Sequence, residues 1–169
     1  LKAYYHEFGK NSAQTDIQLV HFVNHPERIS QWLEQWQKEE LPRAQAAAAQ
    51  GMQPVMGFSV YTWNAAEFLD LMREVKDLCP EILIVVGGPH VQKASDYLFS
   101  EAVDIVVMGE GEATFTDFLD ASGPEQWPDV AGLAFVQKGE LVMTPERPRF
   151  RNLNLLPSAL DVISLLDDE

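Results

Sequence analysis

One cysteine stands among 169 residues. Cys79 alone excludes an intrachain disulfide, and excludes a zinc site or iron–sulfur cluster built from cysteines of these residues. It closes an apolar helical face just before Pro80, so it reads as a small packing residue before it reads as a catalytic thiol. Basic residues are scarce: 12 Lys and Arg face 26 Asp and Glu, for a formal net charge of −14. Nucleic acids and anionic membranes recruit basic surfaces, so neither is expected as a partner. No apolar run approaches the about 20 residues of a membrane span, and no signal-peptide pattern opens the chain, which makes the cytoplasm the expected compartment. There is no phosphate loop and no Gly-x-Ser-x-Gly elbow. The four histidines (His6, His21, His25, His90) show no metal-ligand spacing, and only His90, after a glycine turn, is placed to face a ligand. The first residue is Leu1, not methionine. Leu1–Phe8 reads as the tail of a helix stopped by Gly9, so sequence upstream is expected.

What is present is ordinary globular composition, 46% hydrophobic and 22% charged, in a length suited to one domain with a real core. Asp16–Val23 alternates and then saturates with apolar residues, the pattern of a strand. Asn24 and Pro26 signal a helix to about Glu40, with Ile29, Trp32, Leu33 and Trp36 on one stripe; these tryptophans read as core. Arg43–Gln50 is alanine-rich and helical. Pro54–Tyr61 predicts a buried strand, and Asn64 with Glu67 resembles a capping box for the helix bearing Phe68, Leu71, Met72, Val75 and Leu78. Glu81–Val86 is a near-continuous apolar strand, Ala94–Phe99 a short helix and Val103–Met108 another strand. A helix with Phe115, Phe118 and Leu119 inward follows. Val130–Val136 and Glu140–Thr144 flank Lys138-Gly139, a hairpin signal. Pro145–Arg151 is proline-broken and extended, and Leu153–Pro157 opens a linker. Alternating strands and helices predict an α/β doubly wound parallel sheet of flavodoxin-like type, helices on both faces, with a C-terminal hairpin. Four strands before the hairpin are one fewer than that fold needs, so its first strand is expected to be missing. The expected organisation is an α/β domain over 1–122, its hairpin extension over 123–151 and a linker over 152–169.

Val55–Val91 is the most informative stretch. Two apolar strands, each running into a small-residue turn, enclose one amphipathic helix, and open parallel sheets bind ligands outside the carboxyl ends of their strands. Ser59 and Gly87-Gly88 fall at those ends. Two missing side chains let a ligand approach the main chain, and the Ser59 hydroxyl both donates and accepts. Tyr61 and Trp63 offer flat faces just beyond. Together these suit a slot for a flat heteroaromatic group beneath a larger disc. Equally, Gly-Gly-Pro is a tight turn and Ser59 can point into a helix. Gly109-Glu110-Gly111-Glu112 fails as a dinucleotide fingerprint, since Thr114 stands at the third glycine position and two carboxylates repel a pyrophosphate. Glu110 and Glu112 instead suit amide or hydroxyl donors; a paired-carboxylate hydrolase is the alternative on paper.

The run Val-Met-Gly-Phe-Ser-Val-Tyr-Thr-Trp-Asn, the segment Ile-Val-Val-Gly-Gly-Pro-His and the segment Val-Asp-Ile-Val-Val-Met-Gly-Glu-Gly-Glu-Ala-Thr-Phe occur in this order and at this spacing. Together they resemble the cobalamin-binding domain of cobalamin-dependent radical S-adenosylmethionine enzymes, from Leu1 to about Pro157. The resemblance implies a flavodoxin-like fold holding cobalamin, its nucleotide tail entering the sheet's edge. It implies Ser59 near the dimethylbenzimidazole, Gly87 and Gly88 where the tail passes, and Tyr61, Trp63 and Gly109–Glu112 facing the corrin. With Val60 and Pro89 beside them, the candidate cofactor-binding residues are Ser59, Val60, Tyr61, Trp63, Gly87, Gly88, Pro89, Gly109, Glu110, Gly111 and Glu112. It further implies a parent methyltransferase, or related radical enzyme, whose next domain is a barrel carrying a 4Fe–4S cluster on Cys-x-x-x-Cys-x-x-Cys and using S-adenosylmethionine. That cluster motif is absent here, as is the Asp-x-His-x-x-Gly loop that supplies a cobalt-ligating histidine in other cobalamin domains. A missing central strand leaves an unpaired edge, so weak cobalamin binding or none, and a homodimer of the fragment, are expected. The alternative is a cofactor-free α/β interaction domain that kept the fold.

Overall fold

The computed structural model describes residues 1–20 and 26–158. Six helices and five strands follow in order: α1 (Lys2–Phe8), α2 (Pro26–Glu39), α3 (Leu41–Ala49), β1 (Val55–Ser59), α4 (Ala65–Leu78), β2 (Leu83–Gly87), α5 (Ser95–Leu98), β3 (Ile105–Val107), α6 (Gly111–Asp120), β4 (Leu133–Gln137) and β5 (Glu140–Met143). The strands form one sheet in the order β1-β2-β3-β4-β5. β1, β2 and β3 run parallel; β4 and β5 return antiparallel. Successive right-handed crossovers in one direction place their helices on the same face. α4 and α5 accordingly share a face with α2, packing Leu33, Trp36, Met72, Val75 and Tyr97 against Phe58, Ile84, Val86 and Val106. The opposite face buries Val85, Ile105, Val107, Leu133 and Phe135 under Phe118 of α6 and Val130. Side-chain alternation along a strand explains the division, since Ile84 and Val86 point one way and Val85 the other.

This is the α/β architecture with helices on both faces that the alternation of elements predicts, including the hairpin. Lys138 (φ 54) and Gly139 (φ 81) both take positive φ, as the two-residue turn of a right-twisted hairpin requires. Three expectations differ. Asp16–Val20 is no strand: it is irregular, with Leu19 and Val20 at least half exposed, because an alternating pattern makes a strand only beside a ladder partner. The remainder of that expected strand, with Asn24, His21 and His25, lies outside the described residues, as does 159–169. Asn64 precedes α4 without a side-chain cap; its amide instead ties the preceding turn, accepting from Tyr61 N–H (2.8 Å) and donating to the Ser59 carbonyl (3.3 Å). Finally, 144–150 is not merely extended. Arg147 Nε donates to Thr114 Oγ1 (2.9 Å), its guanidinium pairs with Asp117, and Phe150 N–H donates to Glu110 (2.8 Å), strapping the segment across α6. Among the described residues, no helix is long and apolar enough to cross a membrane.

Candidate cobalamin site

The carboxyl ends of β1 and β2 meet in register, Ser59 opposite Gly87 and Gly57 opposite Val85. Paired residues of a parallel ladder share a face, so Gly57, Ser59 and Gly87 line up on the α6 side of the sheet. Gly57 and Ser59 are exposed and Gly87 is half-buried. A Cβ at Gly57 would lie 3.8 Å from Phe115, and one at Gly87 would lie 3.5 Å from Val107, ordinary contact distances. The result is an open trough floored by main chain and one hydroxyl. Gly57 was not singled out from the sequence; only the register shows that it shares a face with Ser59 and Gly87.

Gly88 has another role. Its φ is +110, and a Cβ there would sit 2.7 Å from both the nitrogen and the oxygen of Val60. The chain's own backbone fills that space. Val60 is fully buried, donates to the Gly87 carbonyl (2.7 Å) and accepts from His90 N–H (3.1 Å), so the Gly88-Pro89 turn is stitched onto the end of β1. Pro89 is exposed at its tip. His90 Nδ1 lies 2.7 Å from the Tyr97 hydroxyl on α5, the rings edge to face. Burial, with the Asp96 charge adding to it, raises the Tyr97 phenol above its ordinary pKa, so it keeps its proton.

Beyond Ser59, the turn that Asn64 ties presents Tyr61 and Trp63 as a stacked pair, centroids 4.6 Å apart and planes 16° apart. Trp63 is 63% exposed, a large apolar surface at the rim. Across the sheet end, Gly109 (φ +77) has open space where a side chain would be, and Gly111 starts α6 with Glu112 in its first turn, where the helix dipole favours a carboxylate. Glu110 is the exception in this loop, because its carboxylate accepts from Phe150 N–H. Other concave surfaces, along Glu146–Arg149 and around Lys10, Asp117, Asp120 and Asp129, include no strand-end residue. No group of three His, Cys, Asp or Glu that could hold a metal occurs among the described residues. Cys79 is buried, and burial raises its thiol pKa, as suits a packing residue.

The B12 binding domain family model matches residues 33–119, just over half of the chain. The chain belongs to that family. The match contains β1 to β3, the trough and all the strand-end residues named above. Several relatives are methyltransferases by name. An uncharacterized methyltransferase of Pyrococcus horikoshii is 28% identical over 106 residues, covering 61% of this chain and 23% of its own length. The cobalamin-dependent radical SAM methyltransferase TokK of Streptomyces tokunonensis is 33% identical over 109 residues, 62% of this chain and 16% of its own. The 2-(S-pantetheinyl)-carbapenam-3-carboxylate methyltransferase of Streptantibioticus cattleyicolor is 39% identical over 67 residues, 38% of this chain and 10% of its own. The chain thus spans less than a quarter of the length of these relatives. The donor set fits the family's ligand. A trough floored by glycine main chain and flanked by Phe115 and Val107 suits a flat ring, a hydroxyl and free main chain serve polar edges, and an exposed aromatic pair offers a flat surface beside them.

Proposed function

We propose that this B12-binding domain carries cobalamin within a larger cytoplasmic radical S-adenosylmethionine enzyme that transfers methyl groups or performs related radical chemistry. The next domain in that enzyme would be a barrel holding a 4Fe–4S cluster and S-adenosylmethionine. Residues 1–122 with the hairpin extension 123–151 form the cofactor domain in this reading, and 152–169 leads toward the barrel. Bound cobalamin would supply a cobalt centre able to carry a methyl group. The chain's own contribution is position. Ser59 and the main chain at Gly57 and Gly87 receive the nucleotide base, while Tyr61, Trp63 and the Gly109–Glu112 loop face the macrocycle and exclude water from its edge. The fragment also associates with a second copy through the outer edge of β1.

The observation that carries the reading is the row Gly57, Ser59 and Gly87, brought onto one face by the β1–β2 register. Titration with hydroxocobalamin, followed by its visible spectrum and by the tryptophan emission that Trp63→Phe should remove in part, tests it. We expect weak but saturable binding by this chain, and at least about tenfold weaker binding by Gly57→Leu, whose side chain fills the trough while urea denaturation stays near wild type. No spectral change at excess cobalamin, or equal binding by Gly57→Leu, overturns the reading.

A further inference from the structure

We propose that His90 is a cofactor-contacting hydrogen-bond donor, held by Tyr97 in the tautomer that presents Nε2–H to an acceptor oxygen of the bound corrinoid. This deepens the cobalamin reading and rests on it. Two main-chain bonds place His90. Its N–H donates to the Val60 carbonyl (3.1 Å), and Val91 N–H donates to the Gly88 carbonyl (3.1 Å), so the main chain of His90 stands at the strand-end rim directly after the glycine pair, and its ring reaches Tyr97 of α5, the helix packed on the face opposite α6. Its Nδ1 is engaged by the Tyr97 hydroxyl at 2.7 Å.

The direction of that bond follows from burial. Tyr97 is 6% exposed, and His90 Nδ1 is the one hydrogen-bond partner of its hydroxyl among the described residues. Were Nδ1–H the donor, the phenol proton would be left without a protein acceptor at a part-buried position, a loss comparable to a broken hydrogen bond. With the phenol donating, its proton is satisfied, Nδ1 is the acceptor and the neutral ring carries its hydrogen on Nε2. Among the described residues, Thr116 Oγ1 is the buried side-chain polar atom without a partner. Among these residues the Nε2 atom makes no hydrogen bond and is not fully enclosed. A nitrogen that bears hydrogen cannot ligate cobalt, so the geometry assigns hydrogen bonding to His90 and not axial ligation. Corrinoids offer two kinds of acceptor oxygen at their periphery, side-chain amide carbonyls and the phosphate of the nucleotide loop.

Histidine-selective ¹⁵N labelling and a long-range ¹H–¹⁵N correlation on the ligand-free chain read the tautomer directly. Nε2–H is expected in the wild type and a mixture in Tyr97→Phe; an Nδ1–H wild type overturns the proposal. Hydroxocobalamin titration then reads the contact. His90→Ala should weaken binding about tenfold, and His90→Gln, which keeps an N–H donor, should recover most of it. Repeating the titration with cobinamide, which lacks the nucleotide loop, separates the acceptors: a loss that persists identifies an amide, and one that disappears identifies the phosphate, each upholding the donor role. Wild-type binding with no loss in His90→Ala overturns this inference alone. No binding by the wild type removes the cobalamin reading and this inference with it.

Discussion

Gly87 and Gly88 are indistinguishable as letters and opposite as residues. At Gly88 the backbone is left-handed and an added Cβ would drive into Val60 N and O at 2.7 Å. At Gly87 the same atom would rest 3.5 Å from Val107. Gly88→Ala should therefore cost about 3 kcal/mol in urea denaturation, and Gly87→Ala less than about 1 kcal/mol. Equal losses would show that the pair acts through a single shared turn. A sequence marks that both side chains are missing, but which absence serves the chain and which leaves room for a guest depends on φ and on the neighbouring strand. For the same reason Gly57 escaped notice, because a glycine within a strand reads as weak packing until register sets it beside Ser59.

At the scale of elements, α4, α6, β2 and the hairpin were legible because their signals are local: an apolar stripe at helical spacing, a β-branched run, a two-residue turn. The 144–150 strap was legible only as an extended segment. Its anchors join Arg147 to Thr114 and Asp117 and Phe150 to Glu110, 30 to 40 residues apart, and no periodicity announces such pairs. Thr114 is fully buried and donates its hydroxyl hydrogen bond to the Ala131 carbonyl (3.0 Å), so Arg147 completes a chain of bonds under the strap. Replacing it with an apolar side chain of similar length leaves Asp117 without its cation and Thr114 Oγ1 without its donor. Arg147→Met should lower stability by about 1 kcal/mol and raise proteolytic cleavage between Pro145 and Arg151, read by limited proteolysis with mass mapping. Wild-type cleavage rates in that variant would mean that the strap is held by Glu110 and the Tyr4–Phe150 ring contact instead.

Across the whole molecule, the sheet among the described residues ends in two edges, β5 on one side and β1 on the other, and the β1 edge adjoins the candidate site. Among the described residues no strand lies beyond β1, so its outer edge presents unpaired N–H and C=O groups. Val60 N–H bonds to β2 and the Pro54 carbonyl accepts from Leu83, so the even-numbered residues of β1 face β2 and the N–H groups of 55, 57 and 59 face outward. Two copies related by a two-fold axis can pair these edges antiparallel, and the opposing term is charge, because each chain carries a formal −14. Salt screens that repulsion over a Debye length of about 8 Å at 0.15 M without weakening main-chain bonds, so association through β1 should strengthen as ionic strength rises. Sedimentation equilibrium should show the mean mass climbing from 19.0 kDa toward a dimer with concentration and with salt. Gly57→Pro removes an outward N–H while leaving the β1–β2 ladder its bonds, since edge strands tolerate proline where the donor points away from the sheet. It should hold the protein monomeric under conditions that pair the wild type. Unchanged dimerisation in Gly57→Pro would assign the contact to another surface, the outer edge of β5 among them, and dissociation on adding salt would assign it to a charged surface instead of this edge.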